Sequence, residues 1–89
     1  MLRQEIVIVN KLGLHARAAA KFVKVASGFD SSIQVARGSR VVNGKSIMGV
    51  MMLAAGKGTS LELIAEGKDE ALAVAELIRL IEGRFGEAE

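Results

Sequence analysis

Hydrophobic residues recur with the spacing of strands or helices in several short segments of the chain. Glu5–Val9 (EIVIV) is short and rich in β-branched residues, which predicts a strand, and the alternation over Ile33–Val35 predicts a second strand. Within Ala16–Ser27 the apolar residues lie at i, i+3, i+4 and i+7, the pattern of an amphipathic helix. The remaining segments predict a short strand at Val41 and Val42, a helix from Ile47 to about Leu53, a strand that includes Leu61, Leu63 and Ala65, and a helix from Glu70 to about Arg84.

Turn and capping residues separate these segments. Arg37–Arg40 is a predicted tight turn with a glycine at its tip, and Asn43-Gly44 marks another turn. Gly28 is well placed to end the first helix in a left-handed conformation. Asp69 is a favourable N-cap for the last helix. The predicted order of elements is therefore β-α-β-β-α-β-α.

Each predicted helix has an apolar face that we expect to be buried. Alternation in the second and fourth strands indicates a sheet with one covered face and one solvated face. The sequence thus predicts an α+β fold of two layers, with a mostly antiparallel four-stranded sheet and three helices on one side. The predicted buried residues are Ala19, Phe22, Val23 and Ala26 in the first helix, Ile47, Val50 and Ala54 in the second, and Ala71, Val74, Ala75, Ile78 and Ile81 in the third.

Length and composition agree with one small domain over residues 1–89. Hydrophobic residues make up 51% of the chain, and there is no cysteine, so disulfides and thiolate metal sites are excluded. The segment MLRQEIVIVN lacks the apolar run of a signal peptide, and the apolar stretch Val50–Ala55 is too short to cross a bilayer. We therefore expect a cytoplasmic protein without a membrane partner, a metal or a cofactor.

The charge pattern gives little support for a nucleic-acid partner. The formal net charge is +2, basic and acidic residues are mixed, and the only aromatic residues are three phenylalanines. A nucleic-acid-binding domain of this size more often has a larger basic excess and stacking aromatic residues. A small ferredoxin-like RNA binder is disfavoured for the same reason.

The stretch GLHARAAAKF contains the single histidine of the chain, His15, directly before the first predicted helix. Histidine is a poor N-cap, and the free amides and the positive dipole end of a helix favour an anion there by about 0.3–1 kcal/mol. Arg17 adds a planar fork suited to phosphate oxygens. We hypothesise that His15 attacks a phosphorus atom and carries the phosphoryl group. The alternative is an ordinary surface histidine beside a helical arginine.

Arg17, Lys21 and Lys24 lie at i, i+4 and i+7, on one face of the same predicted helix. One interpretation is a surface that docks an acidic partner and steers its approach by charge. The other interpretation is a solvated face without a partner. We include Ala20 with Lys21 and Lys24 in the predicted partner surface.

The stretch NGKSIMGVMML, Asn43–Leu53, has a serine at the predicted start of an apolar helix. Ser46 is a natural N-cap, and this can be its whole role. Met48, Met51 and Met52 cannot all lie on the buried face, and we expect at least Met48 to be exposed as an adaptable contact. A phosphate on Ser46 would place negative charge beside that apolar patch and switch its partners.

Together, NKLGLHARAAAKFV and NGKSIMGVMMLAAGKGT resemble the phosphorylation-site and regulatory-serine motifs of the HPr family, the histidine-containing phosphocarriers of the bacterial phosphotransferase system. The resemblance covers essentially the whole chain. It implies an open-faced β-sandwich with sheet order 1-4-2-3. It also implies that His15 accepts a phosphoryl group on Nδ1 from Enzyme I and passes it to Enzyme IIA, with Arg17 as the supporting charge.

The resemblance further implies that Ser46 is phosphorylated by a dedicated kinase/phosphorylase, and that Ile47 and Met48 form the docking patch. We include Met51 in the predicted partner surface. The protein would then be a carrier and not an enzyme, and we expect a monomer. Ala18 stands where the family usually has proline, and we expect carrier activity to persist. The sugar-transport and nitrogen-related branches stay open. The alternative function is a purely regulatory binding module switched by Ser46.

Overall fold

A computed structural model describes all residues from Met1 to Glu89. The predicted order βαββαβα is confirmed, and a short 3₁₀ turn follows the last helix. The four strands form one sheet in the order β1-β4-β2-β3, as the family resemblance implied. The elements are β1 (Leu2–Val7), α1 (Ala16–Ser27), β2 (Ser32–Arg37), β3 (Arg40–Asn43), α2 (Ile47–Met52), β4 (Ser60–Glu66), α3 (Glu70–Glu82) and the 3₁₀ turn Arg84–Gly86.

Strand β4 lies inside the sheet and pairs antiparallel with both β1 and β2. Its apolar residues Leu61, Leu63 and Ala65 are buried on the face that the helices cover. The hairpin between β2 and β3 turns through Gly38 and Ser39, and Gly38 has φ +58°, a conformation that favours glycine. The sheet is therefore antiparallel throughout, with the helices packed against one face.

The open face of the sheet is less polar than the alternation predicted. Ile64 in β4 and Ala36 in β2 are both buried although they point away from the helices. Ile64 lies opposite Arg3 of β1 and Gln34 of β2. Because long polar side chains on the flanking strands cover a central position with their aliphatic stems, an apolar residue there is shielded without a second layer.

Strand β1 begins and ends earlier than predicted. The prediction placed it at Glu5–Val9, whereas the structure has Leu2–Val7. Its first residue pairs with Ala65 of β4, and the Arg3 Nη1 to Glu62 Oε1 distance across the pair is 2.9 Å. The bounds of this edge strand follow cross-strand pairing, which its polar residues did not reveal.

Helix α1 has the predicted bounds and almost the predicted core face. Ala18, Ala19, Phe22 and Ala26 are buried, and Val23 is half-buried. The prediction for α3 was partly wrong, because Ala71 and Ala75 are exposed and Ile78 is half-buried. Alanine fits either environment, so the bulky Leu77 decides the rotation of α3. Its buried residues are Ala73, Val74, Leu77 and Ile81.

The predicted buried face of α2 was also partly wrong. Val50 is fully buried, but Ile47 is 44% exposed and Ala54 is exposed. The helix has only six residues, and the chain turns inward directly after it, so Leu53 and Ala55 fill the core instead. The short helix therefore leaves much of its apolar surface in solvent.

Both predicted cap positions are confirmed, but the predicted conformation of Gly28 was wrong. Gly28 is right-handed, with φ −77°, because its N–H donates to Val25 O at 3.0 Å and continues the turn of α1. Asp69 stands at the N-cap of α3 without a side-chain cap bond. Its carboxylate accepts from the N–H groups of Asp30 and Ser31 at 2.9 Å each, and from Ser31 Oγ, which ties the start of β2 to the start of α3.

The chain after α3 forms a left-handed bend. Helix α3 ends at Glu82 and not at about Arg84 as predicted. Arg84, Phe85 and Gly86 have φ values of +58°, +54° and +78°. Phe85 is fully buried and anchors the bend in the core. This bend directs the last residues towards the start of α1.

Candidate functional site

His15 stands at the N-cap of α1, as predicted. Its backbone is extended, with φ −71° and ψ 176°, and its carbonyl accepts from Ala19 N at 2.8 Å. No side chain caps this helix end. The first-turn amides of α1 therefore keep donors that the helix itself does not use. Such amides, with the positive dipole end, are suited to bind phosphate oxygens.

The loop before His15 is held tightly against the body of the protein. Gly13 has φ +66°, and a Cβ there would collide with Ala55 O, so only glycine fits. Leu14 is buried, and its N–H donates to Ala55 O at 2.8 Å. Asn10 is fully buried and donates from Nδ2 to Gly13 O at 2.8 Å. This loop fixes where the imidazole leaves the backbone.

The imidazole of His15 contacts the carboxylate of Glu87, 72 residues further along the chain. Nε2 lies 2.6 Å from Glu87 Oε2, and the His15 side chain is 29% exposed. The other oxygen, Oε1, accepts from Asn10 Nδ2 at 3.1 Å. The hydrogen bond from His15, followed by that from Asn10, holds the pKa of Glu87 below its usual range.

Arg17 lies in the first turn of α1 and is exposed. It lines the same shallow pocket of about 680 Å³ as His15, so the structure brings the two predicted site residues together. Lys11, Leu12 and residues 87–89 also line this pocket. No group of three or more acidic or histidine side chains is arranged to hold a metal ion.

Sequence reasoning missed Glu87 and Asn10. No spacing rule links Glu87 to His15, because the left-handed bend brings them together. The available signal was Phe85, a large apolar residue just beyond the last helix, which is typical of a tail anchored in the core.

The three basic residues on one face of α1, Arg17, Lys21 and Lys24, differ in whether their charged groups have a partner within the protein. Lys21 Nζ donates to Phe85 O at 2.6 Å, so this ammonium group holds the C-terminal segment. Ala20 and Lys24 are exposed. Arg17 and Lys24 are therefore the predicted cations of this face whose charged groups make no hydrogen bond or ion pair within the protein.

Ser46 stands at the N-cap of α2, and its Oγ accepts from Gly49 N at 3.1 Å. The methionines after it lie in solvent: Met48 is 75% exposed, as predicted, and Met51 and Met52 are exposed as well. Helix α2 packs against α1. The serine and its apolar patch thus belong to the helix adjacent to the one that presents His15.

The fold and the site define a class of protein: a single open-faced sandwich that presents an accessible histidine at an uncapped helix end. The pocket beside it is shallow, which suits a group that is handed to another protein.

Comparison with known proteins assigns the family. Residues 2–83 match the family model described as the PTS HPr component phosphorylation site. The chain is 58% identical over 89 residues to a phosphocarrier protein HPr of Neisseria meningitidis serogroup A, with all of both chains covered. It superposes on HPr-C-His of Thermoanaerobacter tengcongensis with a TM-score of 0.96 at 49% identity, again with all of both chains covered. The chain belongs to the HPr family of phosphocarriers of the phosphotransferase system.

The expectation of a monomer is not confirmed. A solved structure described as an HPr dimer from Thermoanaerobacter tengcongensis is 50% identical to this chain, with a TM-score of 0.79. The match covers 98% of this chain and 100% of that one.

Proposed function

We propose that the protein accepts a phosphoryl group on Nδ1 of His15 from Enzyme I and passes it to an Enzyme IIA. Enzyme I takes the group from phosphoenolpyruvate. The observation that carries the proposal is the shared pocket, in which the imidazole of His15 and the guanidinium of Arg17 lie beside the uncapped start of α1.

The transfer step needs alignment and charge stabilisation more than covalent chemistry from the carrier. The lone pair of Nδ1 forms the N–P bond, the bond between phosphorus and the donor breaks, and its electron pair leaves with the donor. Arg17 and the first-turn amides of α1 stabilise the phosphate oxygens. The reverse sequence at a second partner returns the electron pair to Nδ1, so the protein acts as a shuttle.

The partner surface consists of the exposed parts of α1 and α2. Arg17 and Lys24 steer acidic partners, and Ala20 lets them approach the helix closely. Ile47, Met48 and Met51 supply an adaptable apolar contact. Lys21 contributes indirectly, because its ammonium group is bound to Phe85 O. A contact of this kind is expected to be small and short-lived, as transient interfaces are.

The test is to mix the protein with Enzyme I and labelled phosphoenolpyruvate. An acid-labile, base-stable phosphate that disappears in His15→Ala and persists in Ser46→Ala supports the carrier function. Absence of label in the parent protein, with an active Enzyme I and a known carrier as positive control, would overturn it.

Phosphorylation of Ser46 by a kinase/phosphorylase is a second, regulatory part of the proposal. The cap bond to Gly49 N and the exposed methionines beside it favour a switch of partner binding. Ser46→Asp keeps a cap oxygen but adds a charge, so we expect an unchanged fold and weaker binding of Enzyme I. If His15→Ala has no effect on any partner-dependent activity while Ser46→Asp does, the protein is a purely regulatory module.

We also propose that the protein works as a cytoplasmic monomer. No helix is long and apolar enough to cross a membrane. The polar residues Arg3, Gln4 and Glu5 on edge strand β1 disfavour pairing with a second copy. A mass from light scattering that is twice the mass of one chain would contradict the monomer. Cell fractionation tests the cytoplasmic location.

A further inference from the structure

The C-terminal segment is built to bring one carboxylate to the imidazole. Arg84 and Phe85 are non-glycine residues in left-handed conformations, which the surrounding structure must hold in place. Phe85 is fully buried, and its carbonyl accepts from Lys21 Nζ at 2.6 Å. Beyond Glu87, the carbonyl of Glu89 accepts from Lys11 N at 2.7 Å. The segment is thus held on both sides of Glu87.

Both carboxylate oxygens of Glu87 are engaged within the site. Oε2 lies 2.6 Å from His15 Nε2, and Oε1 accepts from Asn10 Nδ2 at 3.1 Å. Asn10 is itself fully buried and fixed by its bond to Gly13 O. Because Asn10 fixes one oxygen, the other oxygen is presented to the imidazole in one orientation.

We propose that Glu87 is a positioning residue that keeps the His15 proton on Nε2 and leaves the Nδ1 lone pair as the phosphoryl acceptor, an inference that rests on the proposed carrier function. A carboxylate can only accept a hydrogen bond, so Nε2 must donate it. A neutral imidazole has one N–H, so the other nitrogen keeps its lone pair. Nδ1 makes no hydrogen bond within the protein.

The same contact acts in the phosphorylated state. When the N–P bond forms at Nδ1, Nε2 retains its proton, and the ring becomes a cation beside the Glu87 carboxylate. When the phosphoryl group leaves, the electron pair of the N–P bond returns to Nδ1, and the neutral Nε2–H imidazole is restored. The lowered pKa of Glu87 agrees with a carboxylate that stays charged throughout this cycle.

The direct test measures the two nitrogens of the imidazole by ¹⁵N NMR, at a pH where the ring is neutral. The parent protein should show mainly the Nε2–H tautomer. In Glu87→Ala the ratio of Nε2–H to Nδ1–H should fall about tenfold, since a hydrogen bond to a charged group is lost. Glu87→Gln, of the same size, should also lower the ratio, because an amide nitrogen, which cannot accept, then replaces one of the two oxygens that face His15 Nε2 and Asn10 Nδ2.

Glu82→Ala is the control. Glu82 is an exposed carboxylate at the end of α3, outside the histidine pocket and without contact to His15, so the tautomer ratio should not change. Phosphoryl acceptance from Enzyme I should fall in both Glu87 variants and persist in Glu82→Ala. An unchanged tautomer ratio in folded Glu87→Gln and Glu87→Ala overturns this inference, whereas absence of labelling in the parent protein overturns the proposed function instead.

Discussion

Helices α1 and α2 lie side by side and begin in different ways. At α2 the Ser46 Oγ accepts from Gly49 N, so a side chain satisfies the first turn. At α1 the cap residue is His15, which makes no such bond and turns its imidazole to Glu87 instead. The cap residue therefore bonds the first turn of its own helix in α2, whereas in α1 it contacts the C-terminal segment.

The difference shows how a small domain separates the two demands. A capped helix start is stable but its amides are partly used, whereas an uncapped start keeps donors for an incoming anion. The missing cap at α1 is offset by the buried face of the helix, in which Ala18, Ala19, Phe22 and Ala26 contact the core.

The largest expected effect is on the uncapped helix start. Arg17→Ala should slow phosphoryl acceptance from Enzyme I by about 10- to 100-fold, because charge-assisted hydrogen bonds to phosphate are lost. The free energy of unfolding should change by no more than about 0.5 kcal/mol, since the side chain is exposed. The measurements are labelling kinetics and urea denaturation.

Arg79→Ala is the control for charge alone, because Arg79 is an exposed arginine on α3. Its labelling rate should equal that of the parent protein. Equal labelling rates for Arg17→Ala and Arg79→Ala would contradict a specific role of the Arg17 charge in phosphoryl acceptance.

The next effect is on the capped helix start. Ser46→Ala should lower the free energy of unfolding by about 1 kcal/mol, since the first turn of α2 loses its side-chain acceptor. The rate of labelling at His15 should stay unchanged. Ser39→Ala, in the exposed β2–β3 turn, is the control and should leave the urea midpoint in place. A stability loss as large in the control would contradict a capping role for Ser46.

The third prediction concerns acid, because only the start of α1 is paired with a carboxylate. The folded-state pKa of Glu87 is depressed below its ordinary value of 4.5, mainly by the hydrogen bond from His15. The ionised Glu87 carboxylate therefore contributes fully to stability above pH 4.5, and this contribution is lost as the pH falls through the lowered pKa. Urea midpoints between about pH 6 and 3 should fall less steeply in Glu87→Gln than in the parent protein.

Ser46→Ala provides the comparison for the acid series. Its urea midpoints should change with pH in parallel with those of the parent protein, because no carboxylate contacts Ser46. Asp69, whose pKa is lowered chiefly by the Ser31 side chain, adds acid sensitivity in every variant, and Asp69→Asn should reduce it. Identical slopes of urea midpoint against pH in the parent protein and Glu87→Gln would contradict a stabilising hydrogen bond from His15 to the charged Glu87 carboxylate.

The smallest effect is expected at Ala18, which is buried in the first turn of α1. Ala18→Pro should leave the helix intact, since the N–H at this position has no partner within the helix. It removes one possible donor to the phosphate, so the phosphohistidine should hydrolyse faster, by about twofold. The lifetime of the labelled protein at neutral pH measures this. A longer lifetime in the proline variant would contradict a role for the amide.

Local patterns in the sequence predicted the parts of the fold that local physics controls. The bounds of α1 agree residue for residue, because its apolar residues have a clear helical period. The exposure of Met48 followed from a helix with more apolar residues than one face can bury. The position of His15 at the N-cap followed from the same helix start.

The features that the sequence did not predict depend on contacts between distant parts of the chain. The rotation of α3 was missed because Ala71, Ala73 and Ala75 have no preference strong enough to show which of them is buried. The contact of Glu87 with His15 was missed because it depends on left-handed backbone at Arg84 and Phe85, which ordinary residues rarely adopt. The sequence motif therefore predicts His15 and Arg17, whereas the contact with Glu87 comes from the tertiary structure.

The bound C-terminal segment has a practical consequence for how the protein is attached to a surface. Glu89 lies at the rim of the histidine pocket and contacts Lys11, so a tether or affinity tag joined there would crowd the site. The Met1 ammonium group instead lies 3.4 Å from Glu70 Oε2, at the start of α3. For biosensors or immobilised relays, attachment through the Met1 end should leave the phosphoryl acceptor open to its partners.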